Sequence, residues 1–111
     1  MSQRAEQLAE IIRRELDIFL IKEAEVPRDM FITITEVVVT DDLENSFIKA
    51  SVLPVDKSGT ALAFLKRNAG AAARYLSKQM VMRKVPKLDF KLDDFALKHR
   101  SVERALNEEI D

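Results

Sequence analysis

Residues 31–40 constrain the fold most, because nearly every residue in this stretch is β-branched or aromatic. Such side chains fit the pleated, half-buried surface of a sheet. The stretch therefore predicts a β-strand from Phe31 to Thr40. Turn-forming residues follow at 41–45, and apolar and polar side chains then alternate from Phe47 to Leu53. Two strands joined in this way are expected to pair as an antiparallel hairpin.

A third strand is predicted at residues 87–93, where Leu88, Phe90 and Leu92 alternate with charged residues. Pro86 comes just before it and is expected to end the preceding helix. Because helical sequence separates this strand from the second one, the crossover allows the two to pair in parallel within one sheet.

Helices are predicted before, between and after the strands. Apolar residues at steps of three and four indicate an amphipathic helix over residues 2–21. The same spacing indicates helix from about Thr60 to Met82, with Ser58 or Thr60 as its cap, and a short final helix from Ser101. The sequence thus predicts one α+β domain over residues 1–111, in the order helix, strand, strand, helix, bend, helix, strand and short C-terminal helix.

Gly70, one of only two glycines, falls inside the middle helical stretch and is followed by three alanines. Glycine in a helix interior costs roughly 1 kcal/mol relative to alanine, so we expect Gly70 to mark a bend. One interpretation is a bare corner that meets an RNA backbone. The alternatives are a tight helix crossing at small residues, or a C-cap before a second helix.

The segment between Asp56 and Asp89 contains no acidic residue but holds eight of the 18 basic ones. The rest of the chain has ten basic residues against all 19 acidic ones, so the net charge of −1 conceals a strongly basic segment. Arg67, Arg74 and Lys78 follow each other at steps of seven and four and are expected to share one exposed side. Such a segment attracts nucleic acid, although a solvated face is the alternative.

The sequence offers little for catalysis. Absence of cysteine excludes disulfides, thiolate zinc sites and cysteine nucleophiles. Asp41 and Asp42 are adjacent carboxylates, but such a pair is more typical of a solvated turn, and His99 is the only histidine. We expect no enzyme activity, no cofactor and no metal.

The chain opens into a charged amphipathic pattern instead of an apolar signal segment, and no stretch is long enough to span a membrane. We therefore expect a cytoplasmic protein that does not engage membranes and is a monomer when free.

Three motifs resemble those of the ribosome-binding factor A family, bacterial assembly factors of the small ribosomal subunit. Val26-Pro27-Arg28 is similar to the Asp-Pro-Arg that precedes the family's first strand. Residues 33–43 resemble its Thr-Val-Thr-x-Val-Glu-Val-Ser-x-Asp-Leu, and residues 82–90 its Leu-Arg-x-Val-Pro-x-Leu-x-Phe. At the family's Ala-x-Gly bend this chain has Asn68 and Gly70, and the arginine that follows in the family falls on Ala73, next to Arg74.

The resemblance implies a type II KH-like fold and a non-catalytic role. It implies binding to 16S ribosomal RNA in the immature 30S subunit, with release during late maturation. The expected RNA-binding residues lie around the bend and in the basic segment: Lys66, Arg67, Asn68, Ala69, Gly70, Arg74, Lys78, Arg83 and Lys84.

A protein-interaction module on a KH-like scaffold, without direct RNA binding, is the main alternative. Its working surface would be the acidic first helix or an edge of the sheet. A small enzyme is a more distant third.

Overall fold

The computed structural model of the chain describes residues 2–80 and 84–93. The helices there are α1 (Gln3–Lys22), α2 (Ser58–Arg67) and α3 (Ala69–Met80), and the strands are β1 (Phe31–Val39), β2 (Asn45–Leu53) and β3 (Lys87–Leu92). Arg83, His99 and the helix predicted from Ser101 lie outside this part, and the single domain over residues 1–111 stays a prediction. None of these three helices is long and apolar enough to cross a membrane.

The sheet has the order β1-β2-β3, with β2 in the centre. β1 runs antiparallel to β2, as the hairpin prediction required, and β3 runs parallel to β2. Ile48 of β2 lies opposite Phe90 of β3, and both side chains are buried. The buried Ser46 hydroxyl donates a hydrogen bond to the carbonyl oxygen of Lys87 at 2.9 Å, which fixes the start of β3.

A β-bulge interrupts β1 at Thr35. Ile34 lies opposite Ala50 and Glu36 opposite Lys49, so Thr35 has no partner in the register. Its hydroxyl donates to the carbonyl oxygen of Lys49 at 3.2 Å. The extra residue shifts the alternation of inward- and outward-facing side chains by one position. As a result, Ile34 before the bulge and Val39 after it are both buried in the core.

All three helices pack on one face of the sheet. α1 contributes the largest share of the core, and its N-terminus is capped by the Ser2 hydroxyl, which accepts from the Ala5 amide at 3.3 Å. Burial of one leucine or isoleucine side chain stabilises the folded state by about 1.5–3 kcal/mol. The buried residues of α1 are Ala5, Leu8, Ile12, Leu16, Phe19 and Leu20. Ala61, Phe64 and Leu65 of α2 and Ala72 and Leu76 of α3 complete this layer.

The adjacent carboxylates of Asp41 and Asp42 both accept hydrogen bonds in the hairpin loop. Asp42 accepts from the Thr40 hydroxyl and the Glu44 amide, and these hydrogen bonds lower the pKa of its carboxyl. Asp41 accepts from the Ser2 amide at 3.1 Å, so it joins the loop to the start of α1. Both carboxylates therefore organise a turn, the more common of the two interpretations of this pair.

The middle helical stretch breaks at Asn68, two residues before the glycine where the bend was expected. The Asn68 backbone amide and its side-chain Nδ2 both donate to the carbonyl oxygen of Phe64, at 3.0 and 2.8 Å. Its own carbonyl accepts from Ala72 at 2.9 Å and begins α3. Gly70 lies in the first turn of α3 without a positive φ. The predicted bend over Asn68-Ala69-Gly70 is therefore confirmed at its first residue, where an asparagine side chain competes for backbone groups, whereas Gly70 itself is an ordinary helix position.

The predicted cap of α2 was also wrong. A short 3₁₀ turn, Val55–Lys57, leads into α2, and Lys57 occupies the cap position without a side-chain hydrogen bond. Ser58 is already helical and buried. The Lys57 ammonium instead lies 3.0 Å from the Asp29 carboxylate, on the segment before β1.

Because Gly70 has an ordinary helical backbone, Gly70→Ala should stabilise the protein. A β-carbon there would meet only Nη1 of Arg74, at an ordinary 3.6 Å. We expect the free energy of unfolding to rise by about 0.5–1 kcal/mol, measured by urea denaturation followed by circular dichroism. Ala73→Gly, in the same helix, should have the opposite effect. A less stable Gly70→Ala protein would show that the corner requires glycine.

Asn68→Ala should lower stability, because the Phe64 carbonyl loses its side-chain donor. Alanine adopts the local backbone without strain, at φ −95° and ψ 6°, so the loss reports the hydrogen bond, worth about 1 kcal/mol. The same denaturation measurement applies. Gln79→Ala, an exposed polar truncation on α3, should stay within about 0.5 kcal/mol of the parent. Equal stability of the two variants would contradict the assigned role of Asn68.

Candidate nucleic-acid interface

A groove of about 740 Å³ runs between the end of α1 and the corner that joins α2 to α3. One side is formed by α1 and the segment after it, and the other by α2 and α3. Its lining residues are Phe19, Glu23, Ala24, Glu25 and Pro27 on the first side, and Phe64, Arg67, Asn68, Ala71, Arg74, Tyr75, Lys78 and Gln79 on the second.

The cations of the second side converge on the groove. Arg67 ends α2, whereas Arg74 and Lys78 stand one helical turn apart on α3, and all three side chains are exposed. The Arg67 guanidinium lies over the Phe64 ring, 5.9 Å from its centroid. Nη1 of Arg74 lies 3.6 Å from the position that a β-carbon of Gly70 would occupy. We call Arg67, Arg74 and Lys78 the basic wall.

Two acidic residues line the other side of the groove. Glu23 and Glu25 follow α1 and are exposed, and we call them the acidic wall. Within the part of the chain that the structure describes, no ion pair joins the two walls; Lys49 pairs with Glu36, and Lys57 with Asp29, away from the groove. The groove therefore presents both signs of charge to a ligand.

Tyr75 lies on the floor between the walls. Its ring packs against Phe19 with centroids 5.5 Å apart. Burial raises the pKa of the Tyr75 hydroxyl, and the negative charges of Glu15 and Glu23 raise it further. A side-chain hydrogen bond with Glu15 also raises this pKa, and Glu23 makes the smallest of these contributions.

Asn68 lines the groove with a side-chain amide. Its Nδ2 donates a hydrogen bond to the Phe64 carbonyl oxygen. An amide oxygen with two lone pairs accepts N–H donors.

Four of the residues predicted from the sequence meet in this groove: Arg67, Asn68, Arg74 and Lys78. Ala69 and Gly70 lie beside it in the first turn of α3 and do not line it. Lys66 is exposed on α2, also outside the lining.

Lys84 lies away from the groove. Its charge helps to lower the pKa of Asp42, after the hydrogen bonds from Thr40 and Glu44, so it adjoins the hairpin loop. That loop meets the start of α1 through Asp41, and the groove meets the opposite end of this 20-residue helix, about 30 Å away. Lys84 therefore lies apart from the corner residues, and its role in RNA binding stays a prediction; Arg83 falls outside the residues that the structure describes.

The acidic wall was missed by the sequence analysis. Glu23 and Glu25 lie more than thirty positions before α2, and nothing in their local spacing relates them to the basic segment. Their position directly after α1 does not reveal that this helix end lies beside the corner, because that proximity arises from tertiary packing.

Comparisons with known proteins agree on one family. The family model described as ribosome-binding factor A matches residues 4–106. The ribosome-binding factor A of Syntrophobacter fumaroxidans is 31% identical over 109 residues, which cover 96% of this chain and 93% of that protein.

Solved structures show the same fold. The crystal structure of ribosome-binding factor A from Thermus thermophilus superposes with a TM-score of 0.70 at 23% identity, over 79% of this chain and 93% of that one. A homology model of the Thermus thermophilus factor, fitted into a cryo-EM map of a 30S complex, gives a TM-score of 0.61 at 21% identity, over 83% and 93% of the two chains. The predicted KH-like α+β fold class is confirmed.

Proposed function

The chain belongs to the ribosome-binding factor A family, and from that premise we propose that it binds 16S ribosomal RNA in the immature 30S subunit and assists its late maturation. The proposed role is binding without catalysis, by a cytoplasmic protein that is monomeric when free. The 30S complex of the Thermus thermophilus factor supports the choice of subunit.

The observation that carries the proposal is the basic wall. Arg67, Arg74 and Lys78 converge on one groove, inside a segment without any acidic residue. Exposed cations grouped in this way release counterions from a nucleic acid and supply affinity that falls with salt. Arginine also matches phosphate oxygens in a bidentate geometry.

Contacts with the RNA backbone suit this surface better than stacking on aromatic rings. Phe64 is buried beneath the Arg67 guanidinium, and Tyr75 is packed against Phe19. Neither ring stands free as a platform, in contrast to the open sheet aromatics of RNA-recognition motifs. The basic side chains and the exposed backbone near Gly70 therefore form the contact surface.

A protein-interaction module is the second candidate, and the outer face of the sheet favours it. Phe31 and Leu53 lie opposite each other in the β1–β2 register and are 73% and 61% exposed. Val38 and Phe47 form a second exposed apolar pair on the same face. Exposed apolar side chains grouped in this way are typical of protein contacts.

Replacing Arg74 and Lys78 together by glutamate tests the proposal. We expect the double variant to lose co-sedimentation with purified immature small subunits, because two cations of the basic wall become anions. Its fold should persist, since changes at exposed positions usually alter stability by no more than about 0.5 kcal/mol. Neutral replacement by glutamine should flatten the log–log salt dependence of RNA affinity by roughly 1.4–1.8.

The matched control is Arg13→Glu with Arg14→Glu, two exposed positions on α1 that do not line the groove. This variant should bind subunits nearly as well as the parent. Equal losses in both double variants, or normal co-sedimentation of the Arg74 and Lys78 variant, would move the RNA contact elsewhere and favour the protein-interaction module.

A further inference from the structure

The two walls of the groove favour different chemical groups in a ligand. The basic wall attracts phosphate, whereas Glu23 and Glu25 repel it and accept hydrogen bonds instead. Because no ion pair joins the walls among residues 2–80 and 84–93, neither set of charges is neutralised by the other. A complementary ligand therefore carries an anion at one end and hydrogen-bond donors at the other.

Double-stranded RNA does not meet this requirement. An A-form duplex presents sugars and phosphates along both strands, so seating one strand on the basic wall would bring the other strand's phosphates toward the carboxylates. An unpaired nucleotide places its phosphate and its base on opposite sides of the sugar. It can set the phosphate against Arg74 and Lys78 while its base extends to the acidic wall. The groove volume of about 740 Å³ suits one or two nucleotides, since small-molecule sites span roughly 300–1,000 Å³.

The remaining contacts also suit a base. The Arg67 guanidinium is held over Phe64, and a planar guanidinium supported in this way is a surface on which a base can stack. Asn68 also lines the groove and adds a side-chain amide beside this guanidinium. The groove thus offers a stacking plane between a phosphate-binding wall and a wall of acceptors.

The four bases differ in how they meet a carboxylate. Guanine presents two adjacent donors, N1–H and N2–H₂, that match both oxygens of one carboxylate. Cytosine and adenine present one amino group beside an acceptor nitrogen, and uracil presents one N–H between two carbonyl oxygens. A carboxylate therefore favours guanine most and uracil least.

We propose that this groove is a subsite for an unpaired RNA nucleotide, guanine above the other bases, with its phosphate on Arg74 and Lys78 and its base edge on Glu23 and Glu25. The proposal rests on the proposed RNA-binding function and adds to it a preference for unpaired over paired RNA and for guanine over uracil.

Fluorescence polarisation with labelled five-nucleotide RNAs tests the subsite. The RNAs are identical uridine oligomers except that the central base is guanine, cytosine, adenine or uracil. We expect the parent protein to bind the guanine oligomer about tenfold more tightly than the uracil one, as for a good bidentate base contact. An unlabelled RNA hairpin with a fully paired stem should compete poorly.

The variant that isolates the acidic wall is Glu23→Gln with Glu25→Gln. A glutamine amide carries both a donor and an acceptor and so pairs with any base edge. We expect the guanine preference to fall to twofold or less, while affinity for the uracil oligomer stays the same or rises. The control, Glu6→Gln with Glu10→Gln on the exposed side of α1, should keep the tenfold preference.

The possible outcomes separate this inference from the proposed function. Equal binding of all four oligomers, or no binding of any, overturns the subsite, and co-sedimentation with small subunits then reports on the proposed function independently. An acidic-wall variant that loses subunit binding but keeps its base preference also overturns the subsite and assigns the groove to a protein segment. Guanine preference in the parent and the control, lost in the acidic-wall variant alone, supports it.

Discussion

The carbonyl oxygen of Phe64 accepts two hydrogen bonds from one residue, and the arrangement of the candidate site depends on this. Asn68 supplies both donors, its backbone amide and its side-chain amide. The backbone donation is the ordinary helical hydrogen bond, and the side-chain donation is an additional one at the residue where α2 ends; the Asn68 carbonyl then accepts from Ala72 as α3 begins. The direction of α3 decides where Arg74 and Lys78 point relative to Arg67. A continuous helix would present these cations along one straight stripe, whereas the corner gathers them around a groove.

The same corner brings acidic and basic residues from distant parts of the chain to one groove. α1 carries equal numbers of acidic and basic residues, the segment directly after it supplies Glu23 and Glu25, and the charged residues of α2 and α3 are all basic. Packing of α1 beside α3 brings the two groups to opposite sides of one groove. A protein with a net charge of −1 can in this way present a local surface that attracts phosphate, because the field near a surface follows the nearby charges and not the total.

Most of the fold could be predicted from the sequence, since the spacing of apolar residues indicates which side chains are buried. The β-branched run of β1, the alternation in β3 and the apolar stripe of α1 each matched the structure because the same apolar side chains that set the pattern also form the core. The bend over Asn68-Ala69-Gly70 could be predicted from the sequence, but the hydrogen bond between the Asn68 side chain and a backbone carbonyl could not, because propensity arguments do not include it. The acidic wall could not be predicted, because Glu23 and Glu25 meet α3 only through tertiary packing.

The bulge at Thr35 bears on how this protein behaves at high concentration. β1 lies at an edge of the sheet and carries the exposed Phe31 and Val38, a combination that in a regular strand would serve as a template for another chain. The unpaired residue bends the strand and breaks the even spacing of its outward-facing amides and carbonyls. An incoming strand therefore finds no continuous ladder to extend, and the protein keeps an apolar outer surface without the usual risk of edge-to-edge aggregation.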